Sequence, residues 1–272
     1  MPMLPLYLKT NSRPRPSTNM ATSESHHWYA VDGTPVYTVE GSGGKQVNPD
    51  IRHARKYKLL PGVSGIIKCA AAPGLENWKR NQVLLSALTL PRIKGESLDD
   101  FSARVLEDST KQAREAADRG TLIHAAIERA MRGEKFDSAY QKHVTAAIDT
   151  IREHYGENLK CEQTFGNSVL GYGGKMDVSR ITEDEIVVLD LKTKEFMDTD
   201  SRMAWDEHAM QLAAYAAAHG ALTKARCANI FISATSPGLI HVHEWSQQDL
   251  QRAYGMFLGL RDYWQEKNKY VP

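Results

Sequence analysis

Cysteine is scarce in this chain and never clustered. Cys69, Cys161 and Cys227 lie far apart and none belongs to a CxxC pair. That spacing excludes a disulfide framework, a zinc knuckle or a cysteine-ligated iron–sulfur cluster, and it fits free thiols in a reducing compartment. No apolar run approaches the ~20 residues needed to cross a bilayer, so neither a membrane enzyme nor a membrane partner is expected. Net charge is nearly absent as well, since 34 Lys+Arg against 33 Asp+Glu give +1. So even a balance neither implies nor excludes nucleic acid, because a local basic groove is enough to bind it. No internal repeat is visible. What is present is ordinary for a globular protein: 42% hydrophobic and 25% charged residues over 272 positions, ample for one large α/β domain.

Residues 1–25 are rich in Pro, Ser, Thr and Asn, with Glu24 as the first acid, and read as a disordered tail. Lys9, Arg13 and Arg15 without acids have the charge of a mitochondrial presequence, but Pro2, Pro5, Pro14 and Pro16 oppose the helix such a segment needs. Met20 is an alternative start. Residues 26–60 form a second segment. Trp28 to Val39 alternates like a strand and breaks at Asp32-Gly33, a hairpin signal, and Gly41 to Gly44 reads as a loop. Arg52, His53, Arg55, Lys56 and Lys58 then form a basic run around Tyr57. Such a run is usually a solvated face, and it is also able to contact phosphates.

From residue 61 onward helical and strand signals alternate. Pro61-Gly62-Val63-Ser64 looks like a helix start and Pro73-Gly74 like a break. Leu75 to Leu88 is a helix carrying Trp78, Lys79 and Arg80, an aromatic beside two cations that suits a base and its phosphate but equally a helix interface. Leu98 to Met131 is strongly helical with Gly120-Thr121 as its expected boundary, and Ile123, Ile127 and Ala130 share one stripe. His124 beside that stripe is ordinarily a satisfied core histidine; with Glu128 it is half of a zinc-protease motif, and no second His follows at the required spacing. Ala139 to Tyr155, Trp205 to His219 and a Ser246-capped stretch to Asn268 are further helices. Lys160 to Val169, Asn229 to Ser233 and Ile240 to Trp245 are strands. Gln211 and Tyr215, four apart, share a helix face. His241 and His243 share a strand face and, with no third ligand near, read as surface residues.

The chemistry concentrates between Gly171 and Glu195. Ile186-Val187-Val188-Leu189 is β-branched and apolar, a buried strand that runs into Asp190-Leu191-Lys192. Period two places Asp190 and Lys192 on one side and Leu191 in the core. Gly171, Gly173 and Gly174 allow a bulge or a close approach ahead of a strand through Lys175 to Val178, and the Thr182 to Glu185 turn makes a hairpin that brings Asp177 beside Asp190. Two carboxylates and a lysine suit phosphodiester hydrolysis: the acids hold Mg²⁺ or Mn²⁺ and the lysine orients water or offsets developing charge. Taken alone, an Asp and a Lys two apart are as well explained by a solvated ion pair.

Gly120 to His124, Gly174 to Asp177, Asp190 to Thr193 and Gln211 to Tyr215, in that order and spacing, resemble the RecB-like branch of the PD-(D/E)XK nuclease superfamily. Pro61 to Gln82 looks like the opening region of phage-type and mitochondrial genome maintenance exonucleases, so the likeness covers most of Pro61 to Lys269. The resemblance implies Asp177, Asp190, the Leu191 carbonyl and His124 as metal ligands and Lys192 as the catalytic lysine. Gln211 and Tyr215 would position the phosphate or brace the site, and Glu162 would match an upstream acid. Met176 replaces the proline of the superfamily's name, and the cysteine ligands of its cluster-bearing members are missing.

The resemblance implies an α/β fold with a mixed central sheet flanked by helices, a restriction-endonuclease-like core over residues 61–272 with an N-terminal helical extension along one side of a cleft. The implied activity is Mg²⁺- or Mn²⁺-dependent hydrolysis of DNA from its ends, in phage recombination or in replication or repair processing. Implied partners are single-stranded or duplex DNA ends and a recombination or single-strand-binding protein. A cytoplasmic setting, bacterial or phage-infected, is expected ahead of a mitochondrial one. Trp78, Lys79, Arg80, Arg55 and Lys56 are the candidate DNA contacts. The alternative is an inactive DNA-binding or assembly module on the same scaffold, against which the intact Asp177, Asp190 and Lys192 set argues. A zinc hydrolase on His124, Glu128, His241 and His243 lacks coherent spacing. Asp190→Ala is expected to abolish turnover and leave the fold intact.

Overall fold

The computed structural model describes residues 27–71, 73–197 and 203–272. The tail expected at residues 1–25 lies outside them. The centre is a five-stranded mixed sheet of β6 (Lys160–Asn167), β7 (Tyr172–Ile181), β8 (Ile186–Lys194), β9 (Arg226–Ser233) and β10 (Ile240–Glu244), ordered β10-β9-β8-β7-β6. Neighbours are antiparallel except β8 and β9, which run parallel. A parallel pair needs a crossover, and α6 (Asp206–Ala218) supplies it.

Helices cover both faces, because β8 is apolar on both sides. Ile186 and Val188 face the layer of α6, on which α2 (Val63–Ile67) and α7 (Gln247–Asn268) pack. Val187, Leu189 and Leu191 face α4 (Leu98–Met131) and α5 (Gln141–Tyr155). Each of these strand side chains is at most 3% exposed, and full burial of one contributes about 1.5–3 kcal/mol. The mixed α/β architecture expected from the sequence is therefore the one observed. Among the described residues no helix is long and apolar enough to cross a membrane.

The N-terminal segment is tied into this core. β1 (Trp28–Tyr29) pairs with β2 (Pro35–Val36) across the turn at Gly33, whose φ of 88° favours glycine, and on its other edge with β5 (Leu60–Pro61). The boundary drawn at residue 60 thus falls inside β5. Trp28 packs edge-on to Trp264 of α7, with ring centroids 5.9 Å apart. The Gly41 to Gly44 loop contains a short 3₁₀ turn between β3 (Val39–Glu40) and β4 (Gln46–Val47).

The basic run lies on a helix, α1 (Ile51–Tyr57), with Lys58 as its C-cap, because Asp50 caps the start by accepting from the Arg52 and His53 amides. Two local expectations are corrected. Pro73-Gly74 does not break a helix but opens α3 (Pro73–Thr89), the position where a missing N–H costs nothing. Gly120 is no boundary either. α4 runs unbroken from Leu98 to Met131, held by the buried stripe of Ile123 and Ile127 against the sheet, and tertiary packing outweighs the ~1 kcal/mol that an interior glycine costs.

Candidate metal and nucleic-acid site

The antiparallel ladder between β7 and β8 ends at Val178↔Leu189. Beyond it β7 changes face: Met176 packs in the core under α6, while Val178, two residues on, packs in the core under α4. Strict alternation would put both on one side. The ladder to β6 is interrupted at the same level. Cys161↔Val178 and Gln163↔Met176 pair on either side of Glu162, whose φ is 57°. A non-glycine residue in the left-handed region inside a strand is locally strained, and such strain gathers at functional sites. Asp177 sits at this switch, and its Oδ2 accepts the backbone N–H of Leu191 at 2.8 Å. The carboxylate thereby takes over a main-chain donor that the splayed ladder leaves without a strand partner.

Asp190 follows on β8, only 2% exposed. Lys192 Nζ donates to its Oδ1 at 2.6 Å, and Asn229 Nδ2 donates to its Oδ2 at 2.7 Å. Asn229 is in turn held by Trp245, whose indole N–H donates to Asn229 Oδ1 at 2.7 Å. On the other side Lys192 lies 3.5 Å from Gln211 Oε1, and Gln211 Nε2 donates to Tyr215 Oη at 3.1 Å. One hydrogen-bonded line thus runs Trp245, Asn229, Asp190, Lys192, Gln211, Tyr215. The structure brings Asp190, Lys192, Gln211 and Tyr215 together on the α6 face, with Asp177 at the adjoining main chain of Leu191.

Glycine makes the last contact fit. A Cβ on Gly174 would stand 2.6 Å from Tyr215 Cε1, and one on Gly173 would stand 2.7 Å from Tyr29 Cβ. Phe165 closes the Tyr215 ring edge-on at 5.6 Å. Glu162 forms an ion pair with Lys175 across the same two strands. The Cys161 thiol is pushed up to about 11 by burial first and by Glu128 next; Arg132 opposes, and Glu162 and Asp177 add to the rise. His208, on the first turn of α6, is pushed down to about 3 by burial first and then by Lys192, Lys194 and His243.

His124 lies on α4, in the other layer, half-buried and next to the buried Ile123. Its place among the ligands rests on the resemblance. Glu128 is paired with Arg132 at 2.6 Å. His241 and His243 alternate with Ile240 and Val242, which join the α4-side core, so the two imidazoles lie on the opposite face from His124 and Glu128. A zinc set of these four is geometrically broken. Among the described residues no group of three or more His, Cys, Asp and Glu side chains is placed to hold a metal ion. Mg²⁺ does not need one, because it is commonly held by one or two carboxylates, water and substrate phosphate. Two acids on neighbouring strands, Asp177 and Asp190, fit that cation.

The candidate DNA contacts do not form one cluster. Arg55 donates to the Asn268 carbonyl at the end of α7, and Lys56, next to it on α1, lies over the Tyr57 ring at 4.8 Å. Trp78, 41% exposed, is no core residue. It sits with Lys79 and Arg80 on α3, which packs on α4, and Lys79 pairs with Glu76 at 2.9 Å. Sequence reasoning missed Asn229 and Trp245, which sit in an apolar strand and at the end of the next. The only local hint was an asparagine inside an otherwise apolar strand, where a buried amide must find partners.

No protein-family model and no curated protein matches the chain. Solved chains do match, among them the crystal structure of SSO0001, at 16% identity and a TM-score of 0.26. The likeness covers 43% of this chain and 56% of that one, so the chain spans little more than half of its length. So shallow a superposition identifies neither family nor activity.

Proposed function

We propose that the chain is a divalent-metal-dependent deoxyribonuclease that hydrolyses phosphodiester bonds from DNA ends, serving phage recombination or replication and repair processing. The observation that supports it is that Asp177, on β7, accepts the backbone N–H of Leu191, the residue between Asp190 and Lys192 on β8, where Lys192 donates to Asp190 and the two strands part. Asp177, Asp190 and the Leu191 carbonyl would hold Mg²⁺ or Mn²⁺, with His124 as a further ligand on the resemblance. When bound, the cation would polarise the phosphate and lower the pKa of the attacking water.

The chain's own residues supply position and charge. Asn229 and Lys192 fix both oxygens of Asp190, so its carboxylate meets a substrate already oriented. The Lys192 ammonium projects from the same strand face. There it orients water or offsets charge developing on the phosphate, while Gln211, braced by Tyr215, limits its swing. Tyr215 itself is wedged by Phe165 and Gly174.

End-labelled single- and double-stranded DNA, linear and circular, tests the reading. Mg²⁺ or Mn²⁺ should support release of nucleotides from linear DNA, and Asp190→Asn should lower the rate at least about a hundredfold. Lys192→Ala should bind the cation and fail to cleave. DNA binding without turnover by the wild type would instead make the chain a binding module, and full activity in Asp190→Asn would remove the site.

A further inference from the structure

The α6 face of the sheet carries a cavity beside the acidic site. It is open to solvent on one side and holds about 260 Å³ between the start of α6, the end of β10 and α7. Trp205 and Asp206 line it from α6, His241, His243 and Trp245 from β10 and just beyond, and Arg252 from α7. Met203 and Ala204 complete the wall, and four of the eight lining residues are aromatic rings. His243 and Trp245 already meet edge to face, with ring centroids 4.3 Å apart. Arg252 spends its charge on Asp206, at 3.1 Å, so the cavity is close to neutral, and burial followed by His241 holds the His243 imidazole toward its neutral form. A phosphate gains little in such a place. A flat, uncharged ring with amino and carbonyl edges gains stacking on the aromatic walls and hydrogen bonds to imidazole, carboxylate and guanidinium. The volume lies below the ~300 Å³ at which pockets for drug-sized ligands begin, a size that suits one base.

The position ties this cavity to the candidate cleavage site. Asp190 and Asn229 are register partners on β8 and β9, and Trp245, in the cavity wall, holds Asn229 from the end of β10. Three successive strands therefore carry the line from Asp190 to the cavity, roughly 10 Å at about 4.8 Å per strand. At ~3.4 Å or more per nucleotide, that is within about three nucleotides of the scissile phosphate.

We infer that this cavity is a subsite for one unpaired base of the substrate strand, seated between Trp205 and the His243–Trp245 pair. The inference rests on the nuclease reading for its register, and it is tested separately from it. A single-stranded oligonucleotide carrying one abasic residue, moved stepwise along the strand, is bound to the full chain with Ca²⁺ in place of Mg²⁺ and read by fluorescence anisotropy. One window of positions should lose about 5- to 150-fold in affinity when the base is missing. Trp205→Ala should weaken the intact strand by a similar factor and erase the window, and His241→Ala, at an exposed position, should shrink it. Melting curves confirm that both variants fold. A flat abasic profile, or a window untouched in both variants, overturns the subsite. Cleavage of the intact strand with Mg²⁺ is scored independently. Cleavage without a window removes the subsite and leaves the nuclease, whereas a window without cleavage keeps the base pocket and removes the nuclease.

Discussion

Asp190 and Asn229 face each other as register partners across the parallel β8–β9 pair, and the amide of one donates to the carboxylate of the other at 2.7 Å. Both side chains are shielded from solvent, at 2% and 0% exposure. The pair changes the expectation for Asp190→Ala. That substitution removes more than a candidate ligand, because it leaves the Asn229 amide buried without its acceptor, at a cost of about 1–3 kcal/mol. Asparagine at position 190 keeps the shape and is the cleaner probe of charge.

Asn229→Ala should act through Asp190. Loss of a group that orients a ligand typically costs 10- to 100-fold in metal affinity or activity, and the Trp245 N–H and Asp190 Oδ2 would both lose a partner. The Mg²⁺ concentration for half-maximal cleavage should rise by about that factor. A lowered melting temperature with an unchanged Mg²⁺ requirement would leave Asn229 a packing residue alone.

Gly174→Ala tests the wedge behind Tyr215. The new methyl would stand 2.6 Å from the Tyr215 ring and 2.8 Å from Phe165 Cε1, and overpacking of this kind costs about 1–3 kcal/mol. The melting temperature should fall by several degrees, and cleavage should fall further than stability explains, because Tyr215 must move off Gln211. An unchanged melting temperature would show that the ring yields freely.

His208 gives stability a pH dependence. Burial first, then Lys192, Lys194 and His243, holds it at about 3 against an ordinary 6.5. The unfolded chain therefore takes up a proton below 6.5 that the folded chain refuses. The stabilisation is complete above 6.5 and is lost as pH falls toward 3, on the order of a few kcal/mol over the window. His208→Asn keeps an acceptor for the Trp205 amide, which His208 Nδ1 now takes at 3.2 Å, and cannot titrate. Its melting temperature in EDTA should fall less steeply between about pH 6.5 and pH 5 than that of the wild type. His143, His219 and His243, also held low by burial, keep some slope in the variant. Equal slopes would assign the effect to those three.

On α3, Trp78→Ala should leave stability within about 0.5 kcal/mol, since the ring is exposed, and should cost about 1–3 kcal/mol of single-strand binding if a base stacks there. Neutralising Lys79 and Arg80 together should lower the slope of affinity against salt by about 1–2. A slope equal to that of the wild type would take α3 out of the DNA path.

Local pattern was sufficient for much of this molecule. The β-branched run at Ile186 to Leu189 could only be a buried strand, and period two then placed Asp190 and Lys192 on one side, as observed at 2.6 Å. The Ser246 cap, the 3.6-residue stripe of Ile123 and Ile127, and the glycines before Asp177 were likewise written in near neighbours. Short-range sterics set these features, so a short window of sequence contains them. Tertiary structure decided what depends on distant partners. Asn229 meets Asp190 only because β9 pairs parallel with β8 through the α6 crossover, and Trp245 meets Asn229 only because β10 returns alongside. Gly120 stays helical because strands remote in sequence, with Val178, Val187 and Leu189 on their inner face, bury the stripe beside it. The change of face at Asp177 and the cavity between Trp205 and Arg252 arise where strands part and layers meet. No periodicity encodes them, because the burial that creates them is shared among residues remote in the chain.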